Sequence, residues 1–276
     1  MARTAVLTYH SHNISGTTYP TNDHVALASD LVALLEMGVE VVPLAEIAAR
    51  VRARKVQADR TTVALSFDDG PLFDFADFDH PRFGPQRAFL NILRDFREEH
   101  GPAALPRLHA TSFVIASPDA RKAMEICDDC GYTFLTDWLH DGWWRDAESS
   151  GLMEIGNHSW DHVHHAFDGV VICDPRRDDF TLVDSFEDAE KEICAASDYI
   201  GKRLGRPPRL FAYPFGFAND YLVREYLPAR GPALGLEAAF GTDGLVPEGC
   251  DAWSIPRLVC GPNWSSPAEL RGLLSG

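Results

Sequence analysis

Short apolar runs rich in β-branched and aromatic residues recur along this chain, and longer helical patterns separate them. The runs lie at residues 5–9, 39–42, 63–67, 110–116, 152–156, 210–213, 237–240 and 254–260. Helical patterns cover 23–37, closed by Gly38, 86–100, closed by Gly101, and 184–204, closed by Gly205. Acidic side chains early in a helix and glycine just past its end are the expected boundary signals. Strand–helix alternation of this kind makes parallel strands joined by crossover helices. Seven or eight such units in 276 residues predict an α/β fold with barrel-like closure, carried by one domain spanning 1–276.

Charge and composition narrow the partners. The formal net charge is −16, from 41 acidic and 25 basic residues, so the chain lacks the basic footprint that nucleic acid or an anionic membrane requires. No basic segment followed by an apolar stretch opens the sequence, and no run reaches the length of a membrane span. The expectation is a cytoplasmic protein with reduced cysteines, or an extracellular one if an export segment has been removed. The pair Cys127 and Cys130 lacks a second Cys or His pair at zinc-site spacing and reads as structural. Oligomeric state is not legible.

Several chemistries are excluded by motif. There is no Gly-x-Gly-x-x-Gly after a strand, no Gly-x-x-x-x-Gly-Lys and no Gly-x-Ser-x-Gly. Instead, Asp68 and Asp69 stand together where the run 63–67 ends, followed by Gly70 and Pro71. Adjacent carboxylates leaving a buried strand disfavour each other's ionisation unless a cation resolves the conflict. A solvated Asp-Gly turn has the same local pattern. His158 and His162 follow the run 152–156, four residues apart and therefore on one face of a helical turn, where two imidazoles can reach one ion. His164 and His165 make the segment His-rich, so a pair of surface histidines is the plainer alternative. One carboxylate with two imidazoles suits zinc, or cobalt, manganese or nickel, better than calcium or magnesium. Tyr213, Pro214, Phe215 and Gly216 form an aromatic turn after a third strand, able to aim a backbone N–H at a site and to wall a sugar ring. All three motifs sit at strand C-termini, where parallel α/β folds place their sites.

These motifs, with Ala110-Thr111-Ser112-Phe113-Val114 between the first two, resemble the polysaccharide deacetylases of the NodB-homology type, carbohydrate esterase family 4. The opening Leu7-Thr8-Tyr9-His10 and the closing Ile255-Pro256-Arg257-Leu258 are similar to members of that family too. The resemblance implies a distorted (β/α)7-type barrel and one divalent metal, zinc first among the choices, held by Asp69, His158 and His162. Asp68 would be the general base toward the attacking water, and the Phe215 N–H would hold the oxyanion. The implied reaction is removal of an acetyl group from the amide nitrogen of an N-acetylhexosamine, free or in a glycan. Alternatives on the same fold are a cytoplasmic hydrolase of a small non-sugar amide or imide, and a weakly active carbohydrate-binding member. The long loops 71–85 and 162–181 are candidates to close over a small substrate.

Two departures from the family pattern matter. Many members carry an arginine where Ala212 stands, to orient the catalytic aspartate; Arg209 is the nearby candidate replacement. Members also place a general-acid histidine late in the chain, yet the last histidine here is His165. His10, at the end of the first strand, is the leading candidate for that role, with His12 and His24 behind it. Trp160 and Trp264, with Tyr213 and Pro214, are the candidates for sugar contact, although core packing is the commoner fate of a lone tryptophan.

Overall fold

The hydrophobic runs pair as a parallel sheet in a computed structural model that describes residues 2–126, 137–169, 177–242 and 244–275. Its strands are β1 (Thr4–Tyr9), β2 (Glu40–Val41), β3 (Thr62–Phe67), β6 (Ala110–Val114), β7 (Met153–Asn157), β8 (Leu210–Ala212), β9 (Ala238–Phe240) and β10 (Leu258–Val259). A separate antiparallel pair, β4 (Phe78–His80) with β5 (Gly84–Gln86), lies in the segment expected to be an irregular loop. Every residue of β1, β3, β6 and β7 is buried, as expected of parallel strands covered on both faces.

The strand order is β10-β1-β3-β6-β7-β8-β9, with β2 also on β3. β2 pairs the first two residues of β3 and β6 pairs the last three, so two strands share one edge of β3 in succession. The sheet also curls back on itself. Ile255 bridges Phe240 of β9, and three residues later β10 pairs with Leu7 and Thr8 of β1. The run 254–260 is therefore two short contacts on opposite partners, and together they close a distorted (β/α)7-type barrel. Pro256 between them cannot donate to a ladder, which fits a break there.

The helices cover the outside. Asp23–Glu36 starts at Asn22, whose side chain accepts the His24 N–H, and buries Leu27, Leu31 and Leu34. Phe89–His100 begins later than the pattern suggested, because Gln86 is taken into β5 and bonds Asn22 at 2.8 Å. Residues 186–204 run as one helix with a π-turn at Glu190–Cys194, the kind of turn often found near functional sites. Cys127, Cys130 and Cys173 lie outside the described residues, as does part of the loop 162–181. Among the described residues no helix is long and apolar enough to cross a membrane.

Gly70 shows how tightly the strand ends are packed. Its φ is +65°, and an added Cβ would lie 2.4 Å from Val114 Cγ1 and 2.9 Å from Val114 Cα. Gly70→Ala is expected to lower stability by roughly 2 kcal/mol, from left-handed strain and overpacking together. A urea midpoint equal to the wild type would show that β3 and β6 are not held this closely.

Candidate active site and metal centre

β3 delivers Asp68 and Asp69 to the C-terminal rim, and β7 delivers His158 and the turn that carries His162. All four are buried. Asp69 Oδ1 lies 3.5 Å from His158 Nε2 and 3.4 Å from His162 Nε2. Two donors each about 2.1 Å from a tetrahedral ion stand roughly 3.4 Å apart, so the spacing fits one metal. Among the described residues a second group, His164, His165 and Asp178, also comes within such range, but two of its three members are exposed.

Hydrogen bonds orient the donors. His158 Nδ1 lies 2.9 Å from the Ala212 carbonyl, which fixes Nδ1 as the donor and turns Nε2 toward Asp69. Burial, then the neighbouring His158 charge, push His162 down to about 3, so it is neutral and has a lone pair to offer. Burial alone would raise Asp69, but the His158 hydrogen bond, followed by the electrostatic pull of the His12 and His162 imidazoles that face it, holds it well below the usual carboxylate range. Burial disfavours a charge on His158 too, yet Asp68 and Asp69 outweigh it, so the spot between them attracts a cation. The donor set, its burial and its charge all suit a divalent transition ion.

Asp68 faces inward to Arg257. The guanidinium donates from Nη1 to Oδ1 at 2.7 Å and from Nη2 to Oδ2 at 2.8 Å, and Arg257 is 0% exposed. Arg257 also donates to the Gly241 carbonyl and to Ser66 Oγ, and its guanidinium lies 5.4 Å from the Phe113 ring centre. Burial would raise Asp68, but the Arg257 charge, followed by His158, holds it below its ordinary value. This corrects the expectation for Arg209. It precedes β8, at the opposite end of the barrel from the rim, and pairs there with Glu154 and Glu237. A third carboxyl close by, Asp74, is pushed up to about 8 by burial, which its Ser11 and Ser112 hydrogen bonds only partly offset. It is neutral at pH 7 and adds no charge to the aspartate pair.

A cavity of about 510 Å³ opens over these groups. His10, His12, Phe215, Gly216, Cys260 and Asn263 are among its walls. His10 N–H donates to Asp23 at 2.8 Å, while its Nδ1 is buried with no hydrogen-bond partner among the described residues. Phe215 sits at φ +58°, with its ring 4.4 Å from that of His162. The structure does not bring every expected residue here. His24 is buried with one ring nitrogen on the Arg87 carbonyl and the other on that of Ser11. Tyr213 is buried and bonds the Trp253 carbonyl, and Pro214 is buried beside it. Trp264 is buried, donates to Asp30 and packs on Tyr9, while Trp160 packs on Tyr199. Among the described residues of the two long loops, only His162 and His164 reach the cavity; Phe73 turns 71–85 into a cluster with Ile115, Met124 and Trp138 instead.

The polysaccharide deacetylase family profile matches residues 55–229, and the chain belongs to that family. Membership makes it a hydrolase of the acetamide-cleaving kind with a carbohydrate substrate class. The fold is similar to that of Ammonifex degensii IcaB, with a TM-score of 0.66, 20% identity and 100% and 98% of the two chains covered. It is similar to Streptococcus pyogenes deacetylase PplD in complex with acetate (TM-score 0.61, 17% identity, 100% and 99% covered). A de-N-acetylase from Aggregatibacter actinomycetemcomitans also matches (TM-score 0.61, 20% identity, 99% and 100% covered). No curated protein matches the chain by sequence.

Arg257→Leu is expected to cost about 3 kcal/mol at pH 7, because it strands a buried charge on Asp68. Asp68 has a lower pKa folded than unfolded. Its contribution is therefore complete above an unfolded value of about 4 and is lost as pH falls through the folded one. Urea unfolding of wild type and variant should show a gap that is widest at neutral pH and narrows in acid. A gap that does not vary with pH would show that Asp68 is not the group Arg257 stabilises.

Proposed function

We propose that this chain is a metal-dependent N-deacetylase of an N-acetylhexosamine, free or within a glycan. The observation that carries this reading is the convergence, in one cavity, of three buried metal-type donors with a buried aspartate held ionised beside them. A divalent ion on Asp69, His158 and His162 would supply Lewis acidity and bring the pKa of a water from about 16 toward about 7. Zinc suits the donors best, with cobalt, manganese and nickel as alternatives.

The chain's own groups account for the remaining chemistry. Asp68 takes the proton of the attacking water, and Arg257 fixes both its oxygens so that it does so from one geometry. Phe215 lines the cavity at positive φ, and its backbone N–H would donate to the oxyanion. His10, across the same cavity, is the proposed acid for the leaving amine, since an amide anion does not depart unprotonated. The C–N bond then breaks to give acetate and the free amine.

A second reading, hydrolysis of a small non-sugar amide on the same machinery, is favoured by one observation. Phe215 is the single aromatic carbocycle on the wall formed by described residues, so tryptophan platforms for a polymer are lacking there.

Acetate release from N-acetylglucosamine and from chitooligosaccharides, with zinc or cobalt added, tests the proposal. Asp68→Asn should keep its metal and lose turnover. His10→Ala should keep its metal and lose about 10²–10⁴ in kcat. An Asp68→Asn enzyme as fast as wild type would remove Asp68 as the base. Acetate from no glycan, with turnover of small amides, would favour the second reading.

A further inference from the structure

Buried groups elsewhere in the chain pin the turn that leaves β1. His10 N–H donates to Asp23 Oδ2 at 2.8 Å, and Ser11 Oγ donates to Asp74 Oδ1 at 2.6 Å. His24 Nε2 lies 2.8 Å from the Ser11 carbonyl, and Asn13 N–H closes back on the His10 carbonyl at 2.9 Å. With residues 10, 11 and 13 held in this way, the direction of residue 12 is set by the fold. His12 enters the cavity with its side chain 17% exposed and its ring 5.4 Å from that of His10.

That direction has a consequence for Asp69. The carboxylate shows Oδ1 to His158 and His162, at 3.5 and 3.4 Å. Its other oxygen, Oδ2, faces His12 Nδ1 at 3.5 Å, within ion-pair reach and just beyond hydrogen-bond geometry in this structure. The ligand atoms of Asp69, His158 and His162 all lie within 4.8 Å of one another, and His12 stands outside that set. His12 is thus placed against the back of a ligand and not among the ligands. Ring packing against His10 would by itself leave Nδ1 free to point anywhere along the rim.

We propose that His12 is a positioning residue for the metal ligand Asp69, holding Oδ2 through its imidazole so that Oδ1 is the oxygen presented to the ion. The inference rests on the reading of Asp69, His158 and His162 as the metal set. Groups that orient a ligand from behind typically change metal affinity by about 10–100-fold when removed.

The test is zinc binding to the chelator-treated full chain, by competition with a chromophoric chelator, for wild type, His12→Ala, His12→Gln and Asp69→Ala. Melting curves of the metal-free proteins report whether each is folded. Wild type should bind about one ion per chain and Asp69→Ala none. His12→Ala should still bind one ion, about 10–100-fold more weakly. His12→Gln, whose amide can donate to the same oxygen, should recover most of that loss. A His12→Ala affinity within twofold of wild type, with Asp69→Ala metal-free, would overturn the role of His12 and leave the metal site standing. Folded His12→Ala and His12→Gln proteins that are equally weak would also overturn it, since hydrogen bonding to Oδ2 would not be what His12 provides. Wild type that binds no zinc would overturn the metal reading itself.

Discussion

A single buried guanidinium ties the barrel's closure to its chemistry. Arg257 precedes β10, the strand that completes the ring, and its side chain crosses the interior to Asp68 and Ser66 at the end of β3. It also bonds the Gly241 carbonyl just past β9 and lies near the Phe113 ring from β6. Burying that charge without partners would cost several kcal/mol, so the contacts must form together or not at all. A bidentate fork is also directional: it fixes both oxygens of the carboxylate, which a lysine could not do. The position of the proposed base is thereby set by the same residue that joins the last strand to the first.

Around this centre the chain accepts backbone strain where the donors are presented. Of the eight non-glycine residues described with positive φ, five are Asp69, Ser159, His162, Val163 and Phe215, all in the rim motifs. Val163, β-branched and at φ +50°, is the least comfortable of them. Local hydrogen bonds hold the segment: Asn157 caps Ser159, Ser159 Oγ accepts the His162 N–H, and Asp161 accepts the Val163 N–H. Glu192, on the π-turn, accepts the Trp160 and Asp161 N–H groups from outside. Burial, followed by its Asp161 neighbour, pushes the Glu192 carboxyl well above its usual range. Strain of this kind persists only where the surroundings over-determine it, and it concentrates at working sites.

Much of this was legible in the sequence because it is local. The strand runs, the glycine-closed helices and the Asp68–Asp69 and His158–His162 motifs each occupy a few consecutive residues, and periodicity or spacing reports on them directly. What was not legible depends on closure. Arg257 and Asp68 are 189 residues apart, and nothing near Arg257 says that it points inward, whereas Arg209 was suggested only by its nearness along the chain. Strand direction decides between them. Three residues before the rim is about 10 Å down the barrel, among Glu154 and Glu237. Asp74 was missed for the same reason, and His12 was named only as a candidate acid behind His10, since their partners come from other strand ends. Trp264 looked available to a sugar, but Asp30, on the first long helix, claims its N–H and takes it into the core.

The central claim is that one ion at Asp69, His158 and His162 is needed for amide hydrolysis. The most direct measurement is the metal content of the purified protein, before and after chelation and reconstitution, paired with acetate release from N-acetylglucosamine oligomers by the same samples. The account predicts about one zinc or similar ion per chain, loss of acetate release with loss of the ion, recovery on adding it back, and neither ion nor activity in His158→Ala. Acetate release undiminished in metal-free protein, or no ion bound by reconstituted wild type, would contradict it.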